Sequence, residues 1–350
     1  MLVQIGERVG ASEVEPGLTI AALSFRGKGE RWSKLLSVPR WRRAMCAIAT
    51  EFAPDTIMLE GASWCAYHWW LIGRLRRAAP VARIVYHAHN VEYDLRRQKH
   101  GRLVAWLTRY AERAVLRQVD AATAVSEVDA DRFCALYGRR PLLLPNGVDL
   151  AWLRDASEKA VEAVRCRYAL PPATVLFMGG YAYLPNGEAI DFLVREVFPE
   201  LVGRAPSAKL LVLGGEVPYS APWLVAPGVV PTAELPAFIH AAAVSVAPIF
   251  SGSGTRLKVI ESLAAGVPVI ATGKGVEGLL LQPGKDFVRA ETASEFIDAL
   301  SARLVEGEVA STAQSGDALT RFSWPIVIAQ IRANLRTLRL SGEFNANAPV

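Results

Sequence analysis

Short apolar runs alternate with amphipathic stretches along almost the whole of this chain. The runs Asp55–Gly61 and Thr174–Gly180 are typical, and each precedes a segment whose apolar residues have helical spacing. Strands that are apolar on both faces are characteristic of parallel sheets covered by helices. The alternation therefore predicts an α/β protein with a βαβ architecture.

The alternation pauses once, close to the middle of the chain. The strand pattern of Leu142–Asp149 ends in a Pro-Asn-Gly turn, and the next segment, Leu150–Tyr168, is charged and helical. We therefore predict two Rossmann-like lobes with parallel sheets and a cleft between them. The N-terminal lobe covers residues 1–149, the C-terminal lobe covers residues 150–324, and a terminal helix with a tail covers residues 325–350. Ligands of such sheets bind outside the carboxyl ends of the strands.

Composition narrows the class of protein. Of the 350 residues, 51% are hydrophobic and 21% are charged, a balance that excludes a disordered chain. Residues 1–150 carry 22 basic and 15 acidic side chains, whereas residues 151–350 carry 17 and 19, so the positive charge lies in the front half. Four cysteines without a CxxC pair indicate a reducing compartment. We recognise no signal-peptide pattern and no run long enough to span a bilayer, and we expect a cytoplasmic protein.

A Gly/Ser loop between a strand and a helix, within Pro248–Leu279, is the strongest single feature. Gly252 and Gly254 leave backbone amides unobstructed by a Cβ atom, and the predicted helix begins near Thr255. A helix N-terminus presents unpaired N–H groups and a partial positive charge, which suits a phosphate group. The spacing is neither that of a P-loop nor that of the dinucleotide fingerprint.

Three charged residues follow this loop. Arg256 and Lys258 fall in the first predicted helical turn, where cations oppose the helix dipole, so a bound anion would explain their position. Glu261 shares a helix face with Lys258, and its carboxylate could accept hydrogen bonds from the vicinal hydroxyls of a ribose. The alternative is a Gly-rich turn followed by a solvent-facing Lys–Glu pair.

Several segments resemble, in the expected order, those of retaining glycosyltransferases of the GT-B fold, family 4, the glycosyl transferases group 1. They are FSGSGTRLKVIESLAAG, HNVEYDLRRQ, LPNGVD, FMGGYAYLPNGEAIDFL and FSW, and the HNVE segment is similar to that of a bacterial subgroup. The resemblance covers roughly residues 50–335. It implies the GT-B fold, with an acceptor-side first lobe and a second lobe that binds a nucleotide sugar.

The resemblance also implies roles for residues of the second lobe. Glu261 matches the second glutamate of the family's E-x7-E pattern, which contacts ribose, and Ser253 stands where the first glutamate is expected. Backbone amides around Gly254 and Thr255 are then expected to contact the sugar instead.

The negative charge of the donor's diphosphate must also be balanced by cations of the protein. Relatives often place an Arg and a Lys after the first strand of the C-terminal lobe, but the corresponding loop here, GGYAYLPN, has no cation. We place Gly180 of that loop in the donor site and predict that Arg256 and Lys258 supply the missing charge.

His89 matches a histidine that reaches the transferring sugar in many relatives, so the resemblance makes it the catalytic candidate. The alternative is a loop histidine that orders its turn. His87, on the same strand face, is expected to support His89 or to be structural. Asn90 and Glu92 are predicted to hold the turn and cap the following helix, and Glu277 either lies near the donor or caps a helix.

Together these assignments predict a retaining glycosyltransferase that moves a hexose-type sugar from a nucleotide diphosphate sugar to a glycan, lipid-linked or small-molecule acceptor. The expected setting is surface polysaccharide or glycoconjugate biosynthesis. We expect no cofactor and no metal ion, since the histidines lack metal-binding spacing. The DxD at Asp129–Asp131 lies in a helical pattern and is interpreted as a solvated helix face.

The basic front lobe points to an anionic partner. Arg31–Met45 and Tyr67–Arg77 mix aromatic residues with cations, and either could dip into a headgroup layer beside a lipid-linked acceptor. That would place the protein peripherally on the inner face of the membrane. The alternative is a helix with buried aromatic side chains and solvated arginines. No nucleic-acid motif accompanies the charge, so no nucleic-acid partner is expected.

The front of the chain departs from the family pattern. Residues 1–17 are interpreted as the end of a helix, and a strand follows near Leu18–Leu23, so the first strand of the lobe and its Gly-rich loop are expected to be missing. This expectation motivates an alternative function, that of a catalytically impaired, glycosyltransferase-like binding or scaffold protein. A nucleotide-sugar epimerase, another GT-B class, fits the Gly/Ser loop less well.

Overall fold

The computed structural model describes residues 2–6, 10–15, 18–24, 30–60, 65–252, 254–306 and 316–340. The chain forms two compact units. The first unit runs to Thr123 and includes Cys134–Pro141, and the second comprises Ala124–Phe133 together with the chain from Leu142 onward. The lobe boundaries at residues 149 and 324 stay predictions.

The first unit is an α/β unit with most of its strands in its first half. Its strands are β1 (Leu2–Gly6), β2 (Gly10–Glu15), β3 (Leu18–Ser24), β4 (Thr56–Glu60), β5 (Arg83–Ala88) and β6 (Ala121–Ala124). Its helices are α1 (Glu30–Phe52), α2 (Cys65–Ala78), α3 (Glu92–Gln118) and the end of α4 (Glu127–Tyr137). In one sheet β3 lies between β1, which is parallel to it, and β2, which is antiparallel. In the other, β5 lies between β4 and β6 and is parallel to β4.

The front of the chain consists of strands where the sequence predicts the end of a helix, so that prediction is wrong. β1 and β2 both precede β3 in the chain and pair with it, so a strand is present ahead of Leu18. The missed signal is a period of two, in which Val3 and Ile5 alternate with Gln4, as in a pleated strand. The predicted absence of a Gly-rich loop stays a prediction, because the connections at residues 7–9, 16–17 and 25–29 lie outside the described residues.

Helix α2 packs against both α1 and α3 in the first unit. It buries Leu71, Ile72 and Leu75, as an amphipathic helix on a sheet must. Helix α3 breaks at Gly101, whose φ of 80° is readily adopted by glycine and by few other residues. α3 is therefore two helical segments joined at a kink.

The second unit is built on a six-stranded parallel sheet in the order β10-β9-β8-β11-β12-β13. Its strands are β7 (Leu142–Leu143), which lies outside this sheet, β8 (Thr174–Met178), β9 (Lys209–Leu213), β10 (Leu224–Gly228), β11 (Val244–Ala247), β12 (Val269–Ala271) and β13 (Val288–Arg289). Its helices are α5 (Leu150–Arg154), α6 (Glu158–Tyr168), α7 (Leu184–Phe192), α8 (Phe198–Arg204), α9 (Leu235–His240), α10 (Leu257–Ala264), α11 (Ala293–Ser301), α12 (Gly316–Thr320) and α13 (Trp324–Leu340).

The side chains of β8 show why this strand is apolar throughout. Val175 and Phe177 pack into a cluster on one face of the sheet, and Leu176 and Met178 pack into a second cluster on the other. The strand order reverses between β8 and β11, because the chain moves outward to β10 before it returns beside β8. At such a reversal the loops diverge and leave room for a ligand. The loops after β8 and β11 therefore define the candidate site of this unit.

Candidate functional site

The loop after β8 begins with two glycines that lie against a neighbouring loop. A Cβ atom on Gly180 would come within 2.7 Å of the carbonyl oxygen of Gly214, which follows β9. Asn186, in the first turn of α7, donates from its side-chain amide to the carbonyl oxygen of Gly180 at 3.3 Å. The loop is therefore folded back on its own helix, and a larger residue at Gly180 would force the backbone apart.

The loop after β11 contacts the loop after β8. Gly252 and Gly254 both have a φ of 86°, so these two predicted glycine positions do require glycine. A Cβ atom on Gly252 would lie 2.9 Å from the ring of Pro185, in the first turn of α7, and 3.4 Å from the hydroxyl of Tyr183 in the other loop. Ser253, which is predicted to bind the donor, lies outside the described residues.

The side chain of Arg256 forms hydrogen bonds within its own loop, the loop after β11. Arg256 occupies the N-cap of α10, which begins at Leu257, two residues after the predicted start near Thr255. Its buried guanidinium donates to the carbonyl oxygens of Gly254 at 2.8 Å and Gly252 at 3.0 Å. Burial lowers the pKa of Arg256. The guanidinium charge of Arg256 is thus held against the loop after β11 instead of extending into solvent.

Lys258 reaches from α10 to the loop after β8. Its ammonium group donates to the side-chain oxygen of Asn186 at 2.7 Å and lies 4.3 Å from the centre of the Phe177 ring. Burial lowers the pKa of Lys258 to about 7, and the charge of Arg256 acts in the same direction. A nearby anion would favour the protonated form. The glycine loop, which has no cation of its own, therefore receives one from Lys258.

Glu261 lies three residues further along α10 and is half-buried. Burial raises the pKa of its carboxyl group, and the charge of Lys258 opposes that rise. The alternative of a solvent-facing Lys–Glu pair does not describe these residues, because the Lys258 ammonium is bonded to Asn186. Glu261 therefore lies close enough to Lys258 for the two charges to interact.

Asp129, at the start of α4, supports the loop after β11. It is only 1% exposed, so the interpretation of the DxD as a solvated helix face is wrong for this residue. Its carboxylate accepts hydrogen bonds from the Ser126 hydroxyl at 2.6 Å and from the backbone N–H of Gly254. The neighbouring Thr255 hydroxyl donates to the carbonyl oxygen of Val125 at 3.3 Å. The Ser-x-x-Asp spacing, a capping pattern, is the sequence signal for this role.

Glu277 follows β12 in the same unit. It ends the short 3₁₀ turn Lys274–Val276 and forms an ion pair with Lys274. Burial lowers the pKa of Arg256 and raises that of Asp129, and the negative charge of Glu277 opposes the first shift and adds to the second. Glu277 therefore belongs to the electrostatic surroundings of the loop after β11.

A second polar group lies in the first unit, at the carboxyl ends of β4 and β5. The ring of His87 is buried, and its Nδ1 is 2.7 Å from the Thr123 hydroxyl. The ring of His89 packs edge-on against His87 with centroids 4.6 Å apart, and its Nε2 is 3.7 Å from a carboxylate oxygen of Glu60. Burial lowers the pKa of His87 to about 4, and His89 contributes. His87 is therefore neutral at pH 7 and supports the more exposed His89.

The start of α3, after this histidine pair, is capped by Glu112, a residue that sequence reasoning does not single out. The N-cap of α3 is Val91, which has no side-chain cap, so the predicted capping by Asn90 or Glu92 is corrected. The backbone N–H groups of Glu92 and Tyr93 each donate to the carboxylate of Glu112 at 3.0 Å. Glu112 therefore satisfies the helix start from a position twenty residues further along the chain.

Glu112 is fully buried and has a third donor. The hydroxyl of Tyr137 donates to its carboxylate at 2.5 Å. Burial nevertheless raises the pKa of Glu112 to about 7, because these hydrogen bonds offset the desolvation only in part. Glu92 is also buried, and its carboxylate accepts from the Arg96 guanidinium at 3.2 Å. The HNVE turn thus depends on buried carboxylates.

The described residues form neither a metal-ligand cluster nor a membrane-spanning helix. In that part of the chain no cluster of three or more His, Cys, Asp or Glu side chains has the arrangement of a metal site. Over the same ranges, none of the helices combines the length and the apolar character needed to cross a bilayer.

Solved structures share this pair of α/β units. Sucrose-phosphate synthase from Thermosynechococcus elongatus aligns over 94% of this chain and 85% of its own, with a TM-score of 0.71 and 19% identity. Anabaena Alr3699/HepE in complex with UDP and glucose aligns over 91% of this chain and 86% of its own, with a TM-score of 0.67 and 14% identity. The fold is therefore GT-B, a fold of nucleotide-sugar-dependent glycosyltransferases, as the resemblance predicts.

Family models cover both units. The model described as Glycosyltransferase Family 4 matches residues 14–152, and Glycosyl transferases group 1 matches residues 172–305. The chain belongs to this glycosyltransferase family. Phosphatidyl-myo-inositol mannosyltransferases of Mycobacterium leprae and Mycolicibacterium smegmatis are 29% and 27% identical to it, each over 63% of this chain. The chain covers 59% and 58% of the length of these relatives.

Proposed function

We propose that the protein is a retaining glycosyltransferase that moves a hexose-type sugar from a nucleotide diphosphate sugar to a glycan, lipid-linked or small-molecule acceptor. The observation that carries the proposal is the hydrogen bond from Lys258 to Asn186, which brings a buried cation to the glycine loop after β8. Membership of the family supports it, and so does the shared fold with Anabaena Alr3699/HepE, which was solved with UDP-glucose.

In this proposal the diphosphate lies at the carboxyl ends of β8 and β11. Lys258 and the backbone around Gly180 face one side of it. The amide of Thr255 faces the other side, with the charge of the buried Arg256 behind it. Charge accumulates on the diphosphate as the sugar departs, and groups fixed in advance stabilise that charge more in the transition state than before it. Because cations and amides supply this stabilisation, we propose that the reaction needs no metal ion.

The remaining roles complete the donor and acceptor sides. Glu261 accepts hydrogen bonds from the ribose hydroxyls, and His89 contacts the transferring sugar, while His87 holds the His89 ring in place. The mannosyltransferase relatives act, by their names, on phosphatidyl-myo-inositol. We propose an acceptor of related chemistry, a hydroxyl on a lipid or glycan, in glycoconjugate biosynthesis at the inner face of the membrane.

Substitution of Lys258 tests the donor site. A panel of UDP- and GDP-sugars is screened by thermal shift, because a ligand that binds the folded state raises its stability by mass action. We expect Lys258→Ala to weaken binding of the best donor by about tenfold to a hundredfold, the usual effect of losing a charge-assisted hydrogen bond. Lys285→Ala, which removes an exposed lysine from the same unit, is the matched control and should bind like the parent protein.

The outcomes separate the proposal from its alternatives. Equal donor affinity in Lys258→Ala and the parent protein would contradict the assigned site. Anomeric analysis of the product by NMR tests retention, and turnover in the presence of EDTA tests metal independence. Saturable donor binding without turnover, across extended acceptors, would favour a binding or scaffold protein.

A further inference from the structure

An exposed apolar stripe runs along the second half of α3 in the first unit. Leu103, Trp106, Leu107 and Tyr110 follow the spacing i, i+3, i+4, i+7 and therefore share one face of the helix. Their exposed fractions are 71%, 61%, 53% and 58%. A stripe of this spacing normally packs into the core, but here the core side of the helix is formed by other residues, among them the fully buried Val115.

Two tryptophans of α2 extend the stripe. Trp69 and Trp70 are 43% and 42% exposed, and the ring of Trp69 meets that of Tyr110 edge to face, with centroids 5.9 Å apart. The guanidinium group of Arg42 lies 4.0 Å from the centre of the Trp70 ring. We call the α3 stripe together with these two tryptophans the aromatic face.

The exposed charged residues of α2 and of the second half of α3 have one sign. Arg102, Arg109 and Arg113 are exposed on the same half of α3, whereas Glu112, the acidic residue of that segment, is fully buried. α2 contains arginines and no acidic residue. A second copy of this face would meet it with like charge, whereas an anionic surface would attract it.

We propose that the aromatic face docks on an anionic lipid bilayer at the level of the headgroups. Trp and Tyr side chains favour the boundary between water and lipid, Leu side chains insert below it, and the flanking arginines are attracted to anionic headgroups. The inference rests on the proposed function in one respect, since docking brings the enzyme to the surface that carries a lipid-linked acceptor. The docking itself needs neither donor nor turnover.

The aromatic face overlaps one of the two stretches that the sequence singles out. Within Tyr67–Arg77, Tyr67 is buried, as the alternative interpretation of that stretch expects, whereas Trp69 and Trp70 are exposed. Most side chains of Arg31–Met45 lie outside the described residues. The surface rests mainly on α3, with the two exposed tryptophans of α2 beside it.

Vesicle sedimentation with the full chain tests this proposal. The probe is a phosphatidylcholine vesicle with about one third phosphatidylglycerol, compared with a pure phosphatidylcholine vesicle. We expect the parent protein to prefer the anionic vesicle by at least about tenfold, and the double variant Trp106→Ser with Leu107→Ser to lose about tenfold or more of that affinity. Val81→Ser, which removes an 84% exposed apolar side chain from the same unit, should bind like the parent protein.

Two outcomes of the sedimentation experiment would overturn the proposal. They are undiminished vesicle binding by the double variant, and equal binding of the parent protein to neutral and anionic vesicles. A parent protein that is dimeric by light scattering, with a monomeric double variant, would assign the face to a second copy. Donor binding measured without vesicles should be unchanged in the double variant, so a failure of docking is distinguishable from a failure of the donor site.

Discussion

The two units hold their candidate site residues by different means. In the second unit, loops are fixed by backbone approach, as where Gly275 lies against the carbonyl oxygen of Ala247. In the first unit, the turn after His89 is fixed by the buried carboxylate of Glu112. A backbone contact does not titrate, whereas a buried carboxylate does. The contact at Gly275 should therefore be sensitive to added volume, and the turn after His89 should be sensitive to pH.

The largest effect is expected from adding volume in the second unit. A Cβ atom on Gly275 would lie 2.3 Å from the Ala247 carbonyl oxygen, and that oxygen cannot move without displacing β11. We expect Gly275→Ala to lower the free energy of unfolding by about 3 kcal/mol, at the upper end for overpacking. Urea denaturation followed by circular dichroism measures the change.

Gly203→Ala is the matched control. Gly203 lies in α8, and a Cβ atom there would meet nothing within 4 Å. Alanine is the better helix former by about 1 kcal/mol, so this variant should equal or exceed the parent protein in stability. Equal stability of the two alanine variants would show that the approach at Gly275 is not tight.

The next effect should appear in the first unit as a dependence on pH. The pKa of Glu112 is raised to about 7 in the folded protein, mainly by burial. Between its ordinary value of 4.5 and about 7, the folded state holds a proton that the unfolded chain has released. The contribution of Glu112 to stability therefore falls as pH rises through this window. Relative to Glu112→Gln, the parent protein should lose about 2 kcal/mol of unfolding free energy between the two limits.

His87 acts in the opposite direction and must be separated from Glu112. Its pKa is lowered to about 4, mainly by burial, so the unfolded chain binds more protons between about 4 and 6.5 and stability rises with pH there. His87 is present in both the parent protein and Glu112→Gln, so the difference between them cancels its contribution. A difference that is constant from pH 4.5 to 7 would show that Glu112 does not titrate in this window.

Much of the fold could be predicted because its signals are local. The apolar run at Thr174–Gly180 contains β8 (Thr174–Met178), and the segment of helical spacing after Asp55–Gly61 contains α2 (Cys65–Ala78). β1 and β2 were missed because each offers only a few alternating residues and no fully apolar run. Short strands at the front of a lobe carry too little pattern to outweigh an expectation taken from relatives.

The candidate site was less accessible to sequence reasoning because its contacts join distant parts of the chain. Lys258 and Asn186 are 72 residues apart, and no spacing rule connects them. Glu112 looks like an ordinary surface glutamate in a helical pattern, although it caps the same helix. The stripe around Trp106 has core-like spacing, and only the structure shows that its face is exposed. Periodicity in the sequence shows which residues share a face of a helix, but it does not show whether other residues cover that face.

The smallest effect is expected from the hydrogen bond behind the histidine pair. The Thr123 hydroxyl is 2.7 Å from Nδ1 of the buried His87, and Thr123→Val keeps the shape of the side chain while removing that bond. A single buried hydrogen bond contributes about 1 kcal/mol, so the unfolding free energy should fall by that amount. Thr108→Val is the control, since the Thr108 hydroxyl donates to the Val104 carbonyl oxygen within its own helix and its loss should change little. If both variants lose the same free energy, Thr123 does not hold the histidine pair, and the order of this site would depend on the Glu112 carboxylate.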